Sequence, residues 1–254
     1  MTNKGLNILI TGASSGIGEA LALYYAQNGV QNLFICGRNE QRLNDVKERC
    51  EKFGTKVYAE ILNVSEREKV KNWLEKSEQI APLDIVFANA GVSTGEETPE
   101  NIFNTFDINV SGTINTVTPA VEIFKNREDK NVKTIVLTAS IAGYHGLPAC
   151  PSYSASKACI KAYGEALRPA LKDYGINVCV VCPGFVKSRI TDKNTCPMPF
   201  FMPAEEAAKI IAKRVKKNVG LIAFPWPMRL AVWGLSILPN RVSDFIYARL
   251  PHKV

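Results

Sequence analysis

Short apolar runs alternate with helix-length segments along the whole of this 254-residue chain, and this alternation constrains its fold more than any other feature. Several of the runs are continuously apolar, which is typical of β-strands that are covered on both faces. The seven runs span residues 6–10, 32–36, 56–62, 83–88, 133–138, 177–182 and 219–224. Strands that alternate with helices over this length predict an α/β fold with a doubly wound parallel sheet.

The chain shows no internal repeat and no low-complexity linker, so we expect one domain over residues 1–254. The predicted architecture is a single Rossmann-type sheet of about seven strands with helices on both faces. Gly29 is expected to end the first helix, and Ser65 with Glu68 forms a capping box that opens a later helix towards Gln79. Ligands of such sheets bind at the carboxyl ends of the strands, which is where the polar motifs of this chain fall.

Composition and charge exclude several classes of protein. With 46% hydrophobic and 22% charged residues, the chain is neither disordered nor a polytopic membrane protein. Its net charge of +7 comes from 31 basic and 24 acidic residues spread along the sequence. We therefore expect no nucleic-acid partner, whereas an anionic cofactor would suit the charge. The first apolar run is too short for a signal peptide, so we expect a cytoplasmic protein.

The cysteines and histidines predict neither a disulfide framework nor a metal site. Seven cysteines are an odd number in a chain too large to need disulfides, and two histidines without paired spacing offer no ligand set for a metal. Cys179 and Cys182 form a CxxC pattern inside an apolar strand. Because residues three apart on a strand point to opposite faces, we interpret both as buried structural thiols.

A glycine-rich turn follows the first strand. Its GxxxGxG pattern comprises Gly12, Gly16 and Gly18, together with Ser14, Ser15 and Ile17. Glycines permit a tight turn and a close approach of the backbone to a pyrophosphate, and the N-terminus of the following helix offers free N–H groups to the anion. Three glycines carry little weight alone, but their position between a strand and a helix favours a dinucleotide site over an ordinary turn.

The end of the second strand predicts the type of dinucleotide. An acidic residue there would bind the adenosine ribose of NAD, but this chain has Arg38 directly after Gly37. An arginine at this place can pair with the 2′-phosphate of NADP. The alternative is a solvent-exposed arginine at a helix start, and the missing carboxylate makes us prefer the nucleotide contact.

Tyr153 and Lys157 stand four residues apart at the start of a predicted helix, and so they share one helix face. A cation close to a phenol favours the phenolate, so Lys157 is expected to lower the pKa of Tyr153 from its usual value of about 10. Such a tyrosine can exchange a proton with a carbinol oxygen. The bare YxxxK pattern is common and carries no function by itself.

Taken together, these motifs resemble those of the short-chain dehydrogenase/reductase family, from Leu6 to about Phe224. The resemblance also includes an Asn-Ala-Gly triplet after the fourth strand and a Pro-Gly pair after the sixth. It implies a catalytic tetrad of Asn109, Ser140, Tyr153 and Lys157. The cofactor-binding residues that it implies are Gly12, Ser14, Ser15, Gly16, Ile17, Gly18, Arg38, Asn63, Val64, Asn89, Ala90, Gly91, Tyr153, Lys157, Pro183, Gly184, Val186 and Ser188.

Three positions depart from the family's pattern, and none of these departures is expected to prevent the reaction. Asn63 replaces the aspartate that usually contacts adenine, and an amide can still accept that hydrogen bond. Ser188 replaces a threonine and retains the hydroxyl group. Ala88 precedes the Asn-Ala-Gly triplet, where many members have a second asparagine.

The resemblance implies reduction of a carbonyl by NADPH, which is preferred over NADH, or the reverse oxidation of a secondary alcohol. Tyr153 would transfer the proton and Ser140 would hydrogen-bond the reacting oxygen. Lys157 would hold the nicotinamide ribose, and Asn109 would position a water beside it. Family members are usually dimers or tetramers, so we expect a homodimer or homotetramer that acts on a small molecule.

Substrate identity is expected to lie in a substrate loop, residues 189–203, and in an apolar C-terminal tail, residues 225–254. The apolar stretch 197–203 predicts either a lid over an apolar pocket or a loop packed on its own domain. A bulky apolar substrate, lipid-like or polycyclic, would suit such a lid. The tail, with Trp226 and Trp233, is expected to cover the substrate site or join a subunit interface, and contact with a membrane surface is less favoured.

Two other functions remain open at this point. A cofactor-binding sensor or regulatory protein would use the same fold without needing a complete tetrad, and oxidation of NADPH by a ketone would exclude it. A nucleotide-sugar epimerase shares the YxxxK pair, but it usually has another glycine spacing and a larger C-terminal region. Absence of a tightly held cofactor after purification would argue against the epimerase.

Overall fold

The computed structural model describes residues 5–129, 131, 133–193 and 197–247. Its strands are β1 (Asn7–Thr11), β2 (Asn32–Gly37), β3 (Lys56–Ile61), β4 (Ile85–Ala88), β5 (Lys133–Thr138), β6 (Ile176–Pro183) and β7 (Leu221–Phe224). They form one parallel sheet in the spatial order β3-β2-β1-β4-β5-β6-β7. The predicted doubly wound parallel sheet of about seven strands is confirmed.

Helices cover both faces of the sheet. They are α1 (Gly16–Gln27), α2 (Glu40–Glu51), α3 (Arg67–Ile80), α4 (Pro99–Phe106), α5 (Gly112–Lys125), α6 (Pro151–Ala170), α7 (Ala204–Lys216), α8 (Trp226–Ser236) and α9 (Asn240–Tyr247). Residues of α1, α2 and α7 pack in the core cluster on one face, and residues of α3, α5 and α6 pack in the cluster on the other.

The inner strands are largely buried on both sides, as their continuous apolar runs predict, whereas the edge strand β3 has only one buried residue. Every residue of β1, β2, β4 and β5 is buried. In β1, Ile8 and Ile10 enter one core cluster and Leu9 enters the other. Cys179 and Cys182 of β6 likewise lie in opposite clusters as buried free thiols, which confirms the interpretation of the CxxC pattern.

The end of the first helix agrees with the sequence. After α1 the chain turns at Gly29, whose φ of +78° lies in the left-handed region that favours glycine. The N–H groups of Gly29 and Val30 donate to the carbonyl oxygens of Ala26 and Tyr25. These bonds satisfy helix carbonyls that would otherwise have no partner.

The capping box predicted at Ser65 and Glu68 is wrong. Helix α3 begins one residue after Glu66, and the side chain of Glu66 makes no capping hydrogen bond. The N–H of Ser65 donates to Oδ1 of Asn63 at 3.3 Å. The asparagine therefore holds Ser65 in a turn before the helix, a local arrangement that competes with capping.

The strand order reverses at β1, which lies between β2 and β4. The chain leaves β1 for α1 on one face of the sheet, and it leaves β4 for helices that include α5 on the other. Connections that depart in opposite directions open a crevice at the carboxyl ends of the two strands. The fold therefore places a binding crevice beside the glycine-rich turn.

Helices α8 and α9 follow β7 and form the described part of the apolar tail, while residues 248–254 lie outside the described residues. The two helices have 11 and 8 residues. Over the ranges given above, none of the helices has the length and apolar character that a membrane span requires.

Candidate functional site

A cleft of about 310 Å³ opens at the carboxyl edge of the sheet, and the loops after the first six strands line it together with the start of α6. It contains most of the residues that the sequence predicts for the site. These are Gly12, Ser14, Ser15, Gly16, Ile17, Arg38, Asn63, Val64, Asn89, Ala90, Gly91, Ser140, Tyr153, Lys157, Pro183, Gly184, Val186 and Ser188. The other two predicted residues, Gly18 and Asn109, lie behind the lining.

The turn after β1 requires glycine at points where a side chain would collide with a neighbour. Gly12 has a φ of +68°, and a Cβ there would lie 2.7 Å from the Cα of Ala90. A Cβ at Gly18 would overlap the carbonyl oxygen of Gly12. Helix α1 starts after Ser15, whose side chain makes no capping hydrogen bond. That side chain therefore leaves the N–H groups of the first helical turn available to an anion.

Thr11, the last residue of β1, holds the loop that follows β4. Its Oγ1 accepts hydrogen bonds from the N–H groups of Asn89 (2.9 Å) and Ala90 (3.1 Å). Nδ2 of Asn89 donates to the carbonyl of Thr11 at 3.1 Å, and Oγ1 of Thr138 donates to Oδ1 of Asn89 at 3.3 Å. These bonds fix the Asn-Ala-Gly triplet between the ends of β1 and β5.

Two arginines, Arg38 and Arg42, line the part of the cleft next to β2. The sequence predicts Arg38 but not Arg42, which lies in the first turn of α2. Asn39 caps this helix by accepting the N–H of Arg42 at 3.0 Å. Helical side chains point back towards the helix N-terminus, which is the signal that could have placed Arg42 here.

The surroundings of these arginines favour an anion. Nε of Arg42 is buried and has no hydrogen-bond partner among the described residues. In the described part of the chain, no aspartate or glutamate lines the cleft. A buried guanidinium nitrogen without an acceptor is costly to leave unpaired, so an acidic group on a ligand would stabilise it.

At the β5 side of the cleft, α6 brings Tyr153 and Lys157 together. Nζ of Lys157 lies 5.8 Å from the centre of the Tyr153 ring and donates a hydrogen bond to the carbonyl of Thr138 at 2.9 Å. The Ser140 hydroxyl lies next to Tyr153, where it favours the phenolate form. Oγ of Ser140 also accepts the N–H of Ala142 at 3.1 Å, which fixes the serine at the end of β5.

Burial shifts the pKa values of both α6 groups towards their neutral forms. It raises the pKa of Tyr153 to about 12, although the Ser140 hydroxyl opposes this shift. It lowers the pKa of Lys157 to about 8. The expectation that Lys157 lowers the pKa of Tyr153 is therefore wrong for this state of the protein, because loss of hydration dominates.

Asn109 lies in a π-helical turn between α4 and α5 and is fully buried. Its Oδ1 accepts the N–H of Val92 at 2.8 Å, and its Nδ2 donates to the Val92 carbonyl (3.0 Å) and to Oγ of Ser156 (2.9 Å). A Cβ at Gly91 would lie 3.1 Å from Nζ of Lys157 and 3.2 Å from Oδ1 of Asn109. Asn109 thus connects the loop after β4 to α6 and lies close to the lysine.

Comparison with known proteins gives the family. Residues 6–197, more than half of the chain, match the family model for short chain dehydrogenases. The chain belongs to the short-chain dehydrogenase/reductase family. An uncharacterized oxidoreductase of Myxococcus xanthus is 32% identical over 247 residues, which cover 95% of this chain and 96% of that relative. This short-chain dehydrogenase/reductase is accordingly an oxidoreductase.

Solved structures share the fold of this short-chain dehydrogenase/reductase. A family member from Burkholderia phymatum, in complex with NAD, has a TM-score of 0.83 at 23% identity and covers 100% of this chain and 99% of its own. A short chain dehydrogenase from Burkholderia cenocepacia, in complex with NADP, has a TM-score of 0.81 at 21% identity and covers 99% and 100%.

In this short-chain dehydrogenase/reductase, the substrate loop (residues 189–203) and the apolar tail (residues 225–254) each bring some described residues to the cleft and leave others at the surface. Arg189 and Thr191, in the loop 189–203, line the cleft, whereas Phe200 is exposed at the surface. In the tail, Met228 reaches the wall, since a Cβ at Gly184 would lie 3.0 Å from its Sδ. Trp226 and Trp233 are exposed, so the structure places them at the surface and not over the cleft.

Glu97, in the loop after β4, is a second residue that the sequence analysis misses. It accepts hydrogen bonds from the N–H of Ser152 (3.1 Å to Oε1) and from its Oγ (2.8 Å to Oε1). Ser152 lies in the first turn of α6, and the Cys150 side chain at the N-cap position makes no capping bond. A carboxylate at a helix N-terminus is stabilising, so Glu97 holds the turn that carries Tyr153.

We predict that Glu97→Ala lowers both stability and turnover. Loss of a helix cap costs about 0.5–2 kcal/mol, and the first turn of α6 should become less ordered next to Tyr153. Denaturant unfolding measures the first effect, and kcat with an active carbonyl substrate measures the second. Glu97→Gln keeps an acceptor oxygen and should retain most of both.

Glu96→Ala is the matched control, because the neighbouring glutamate is exposed. It should leave the free energy of unfolding and kcat unchanged. Wild-type stability and kcat in Glu97→Ala would show that this carboxylate does not hold the helix.

Proposed function

We propose that this oxidoreductase transfers a hydride between NADP(H) and a carbonyl or secondary alcohol group. The observation that carries the proposal is the contact between Ser140 and Tyr153 beside the buried amine of Lys157. This cluster lies at the end of β5, and two strands, β1 and β4, separate it from the arginines that follow β2. One elongated ligand can therefore contact the arginines and the cluster at the same time.

The cleft fits a dinucleotide in three respects. The glycine turn brings the backbone of β1 close to the Asn-Ala-Gly triplet, and the N-terminus of α1 opens beside it. Buried Nε of Arg42 needs an acceptor. Lys157, Arg38, Arg42 and Arg189 give the lining positively charged side chains without a carboxylate among the described residues. A phosphate-rich ligand supplies the acceptors and the negative charge that this lining lacks.

The choice of NADP over NAD rests on this chain's own arginines. The two Burkholderia structures contain NAD in one case and NADP in the other, so the fold accommodates both. Arg38 and Arg42 lie where β2 and α2 meet, which is the position that selects the ribose substituent in such folds. Two guanidinium groups favour a 2′-phosphate over a bare hydroxyl.

When bound, the nicotinamide supplies or accepts the hydride. Tyr153 holds a proton at its hydroxyl oxygen, since its raised pKa keeps the phenol protonated at neutral pH. The phenol is therefore ready to donate to a carbonyl oxygen as negative charge develops there. Ser140, next to that phenol, is placed to donate to the same oxygen.

Lys157 stabilises the charge on the Tyr153 phenol, and Asn109 positions the loop next to Lys157. With a pKa of about 8, Lys157 keeps most of its charge at neutral pH, and a cation beside Tyr153 stabilises the phenolate left after proton transfer. In the proposal, Nζ also holds the ribose next to the nicotinamide. Asn109 fixes the loop that carries Gly91 against α6, which keeps the space around Nζ constant.

For the substrate we propose a bulky apolar carbonyl compound. The wall around Gly184 is apolar, since Met228, Pro225 and Ile141 all come within 3.5 Å of the point where a Cβ would lie. An isolated bridge between Val186 and Met202 brings the end of the loop 189–203 to the segment directly after this wall. An apolar surface of this kind gains affinity from each buried methylene group of a ligand.

We predict that Tyr153→Phe abolishes turnover and leaves NADPH affinity nearly intact. A general acid contributes about 10²–10⁴-fold to a rate, and phenylalanine cannot supply the proton. The measurement is NADPH oxidation with ketones and aldehydes of rising apolar size, together with a fluorescence titration of NADPH. Tyr58→Phe, which removes a hydroxyl on β3 outside the cleft, is the control and should retain activity. If Tyr153→Phe kept most of its kcat, Tyr153 would not be the proton donor.

We predict that the wild-type protein binds NADPH more tightly than NADH and that Arg38 and Arg42 cause the difference. A hydrogen bond to a charged group contributes about 1.5–3 kcal/mol, so Arg38→Ala and Arg42→Ala should each weaken NADPH binding roughly ten- to hundredfold. NADH binding should barely change. Calorimetric titration of both cofactors measures this.

Lys47→Ala removes a partly exposed charge from the same helix, outside the cleft, and should change neither affinity. Equal wild-type affinities for the two cofactors would contradict the assignment. Equal losses of NADPH and NADH affinity in the arginine variants would do so as well.

A further inference from the structure

Helix α8 packs one of its faces against the cleft. One residue separates it from β7, and it contacts β7 and the short turn that follows Ser140. On this face, Sδ of Met228 lies 3.0 Å from the point where a Cβ of Gly184 would lie. Gly184 lines the cleft together with Ser140, and its N–H donates to the Phe224 carbonyl at 2.8 Å. The cleft wall is therefore joined to the strand that precedes α8.

Met228 fills an apolar space beside Gly184. It is partly buried, and Pro225 and Ile141 come within 3.0 and 3.5 Å of the same point. A methionine side chain is flexible and fills irregular gaps, so it determines how much room remains next to Gly184. A shorter side chain at this position would leave an apolar cavity at the border of the cleft.

Arg229, the next residue of α8, lies beside Tyr144, which follows the turn after Ser140. The Tyr144 hydroxyl is buried, and burial raises its pKa to about 12. The guanidinium of Arg229 is close enough to oppose this shift. A buried hydroxyl is costly to leave without a partner, and a guanidinium can donate to its oxygen. Arg229 therefore connects α8 to the turn that Tyr144 follows.

A hydrogen-bonded turn and α6 hold Tyr144. The N–H of Tyr144 donates to the Ile141 carbonyl at 3.1 Å, and the N–H of Gly143 donates to the Ser140 carbonyl at 3.0 Å. Nζ of Lys161, in α6, lies 4.9 Å from the centre of the Tyr144 ring. Tyr144 is thus fixed relative to Ser140 and gives α8 a stable point of attachment.

We propose that Met228 determines the size of the carbonyl compound that the cleft accepts. Arg229 is a positioning residue, and its contact with Tyr144 holds Met228 in place. This inference rests on the proposed function, because it concerns the substrate side of that reaction. Met228 and Arg229 are adjacent in one helix, so loss of the contact at Arg229 lets α8 move and changes the space that Met228 fills.

Hydrogen–deuterium exchange measures the positioning without turnover. Arg229→Gln and Tyr144→Phe should each raise the exchange rates of the α8 amides roughly fivefold or more, since loss of a polar contact makes local opening easier. Arg229→Lys keeps a cationic donor and should restore part of the protection. Arg214→Gln, which changes an exposed arginine of α7 outside the cleft, is the matched control and should leave α8 unchanged. Wild-type exchange in both Arg229→Gln and Tyr144→Phe would overturn the positioning role.

A series of methyl ketones of rising chain length, with NADPH, tests the role of Met228. In the wild type, kcat/KM should rise with chain length to a maximum and fall beyond it. Met228→Ala should shift the maximum to longer ketones, with roughly a fourfold gain for each further methylene group that enters the opened space. Met228→Leu, of similar size, should keep the wild-type maximum. Arg229→Gln should raise KM for the best ketone and leave NADPH affinity unchanged.

A fluorescence titration of NADPH shows whether each variant is folded. The same maximum in Met228→Ala as in the wild type would overturn the size-determining role. Failure of the wild type to reduce any ketone would overturn the proposed function and the role of Met228 with it. The exchange rates of α8 would still decide the role of Arg229 in that case.

Discussion

The burial of one amine organises the site of this short-chain dehydrogenase/reductase. The Lys157 side chain comes from α6 and donates to the Thr138 carbonyl at the end of β5. Removing an ammonium group from water is costly, so the elements around it must approach closely enough to replace the lost hydration. Gly143 lets the turn after β5 pack against the backbone of α6, since a Cβ there would lie 2.7 Å from the backbone carbonyl of Lys157. Tyr153 lies one helical turn earlier and is carried to the same place.

The sheet explains why distant segments meet at this amine. Parallel strands present their carboxyl ends at one edge, and the reversal of strand order at β1 leaves a crevice there. Thr11 then holds the loop after β4 against β1, and Asn109 holds the same loop against α6. The arginines after β2 and the Tyr153 cluster after β5 thus face one cleft although more than a hundred residues separate them along the chain.

The seven strands and the glycine turn could be predicted because their signals are local: a continuous apolar run, or glycines between a strand and a helix. The hydrogen bonds between Ser152 and Glu97 could not be predicted, because 55 residues separate the two and neither belongs to a motif. The raised pKa of Tyr153 could not be predicted from the sequence either. The spacing of Tyr153 and Lys157 predicts the neighbouring cation, but the opposing effect of burial depends on segments packed from elsewhere. Ser65 shows that a local pattern can also mislead, because Asn63 takes the N–H of Ser65 in a turn before α3.

Titration of Lys157 tests the central claim, that the site holds a desolvated amine beside the phenol. Lysines labelled at the ε-carbon can be followed by NMR as a function of pH in the cofactor-free protein, and Lys157→Met assigns the signal. The account predicts that this amine loses its proton with a pKa of about 8, well below its ordinary value of 10.5. A Lys157 signal that titrates near 10.5 would show that the amine is hydrated and would contradict the account.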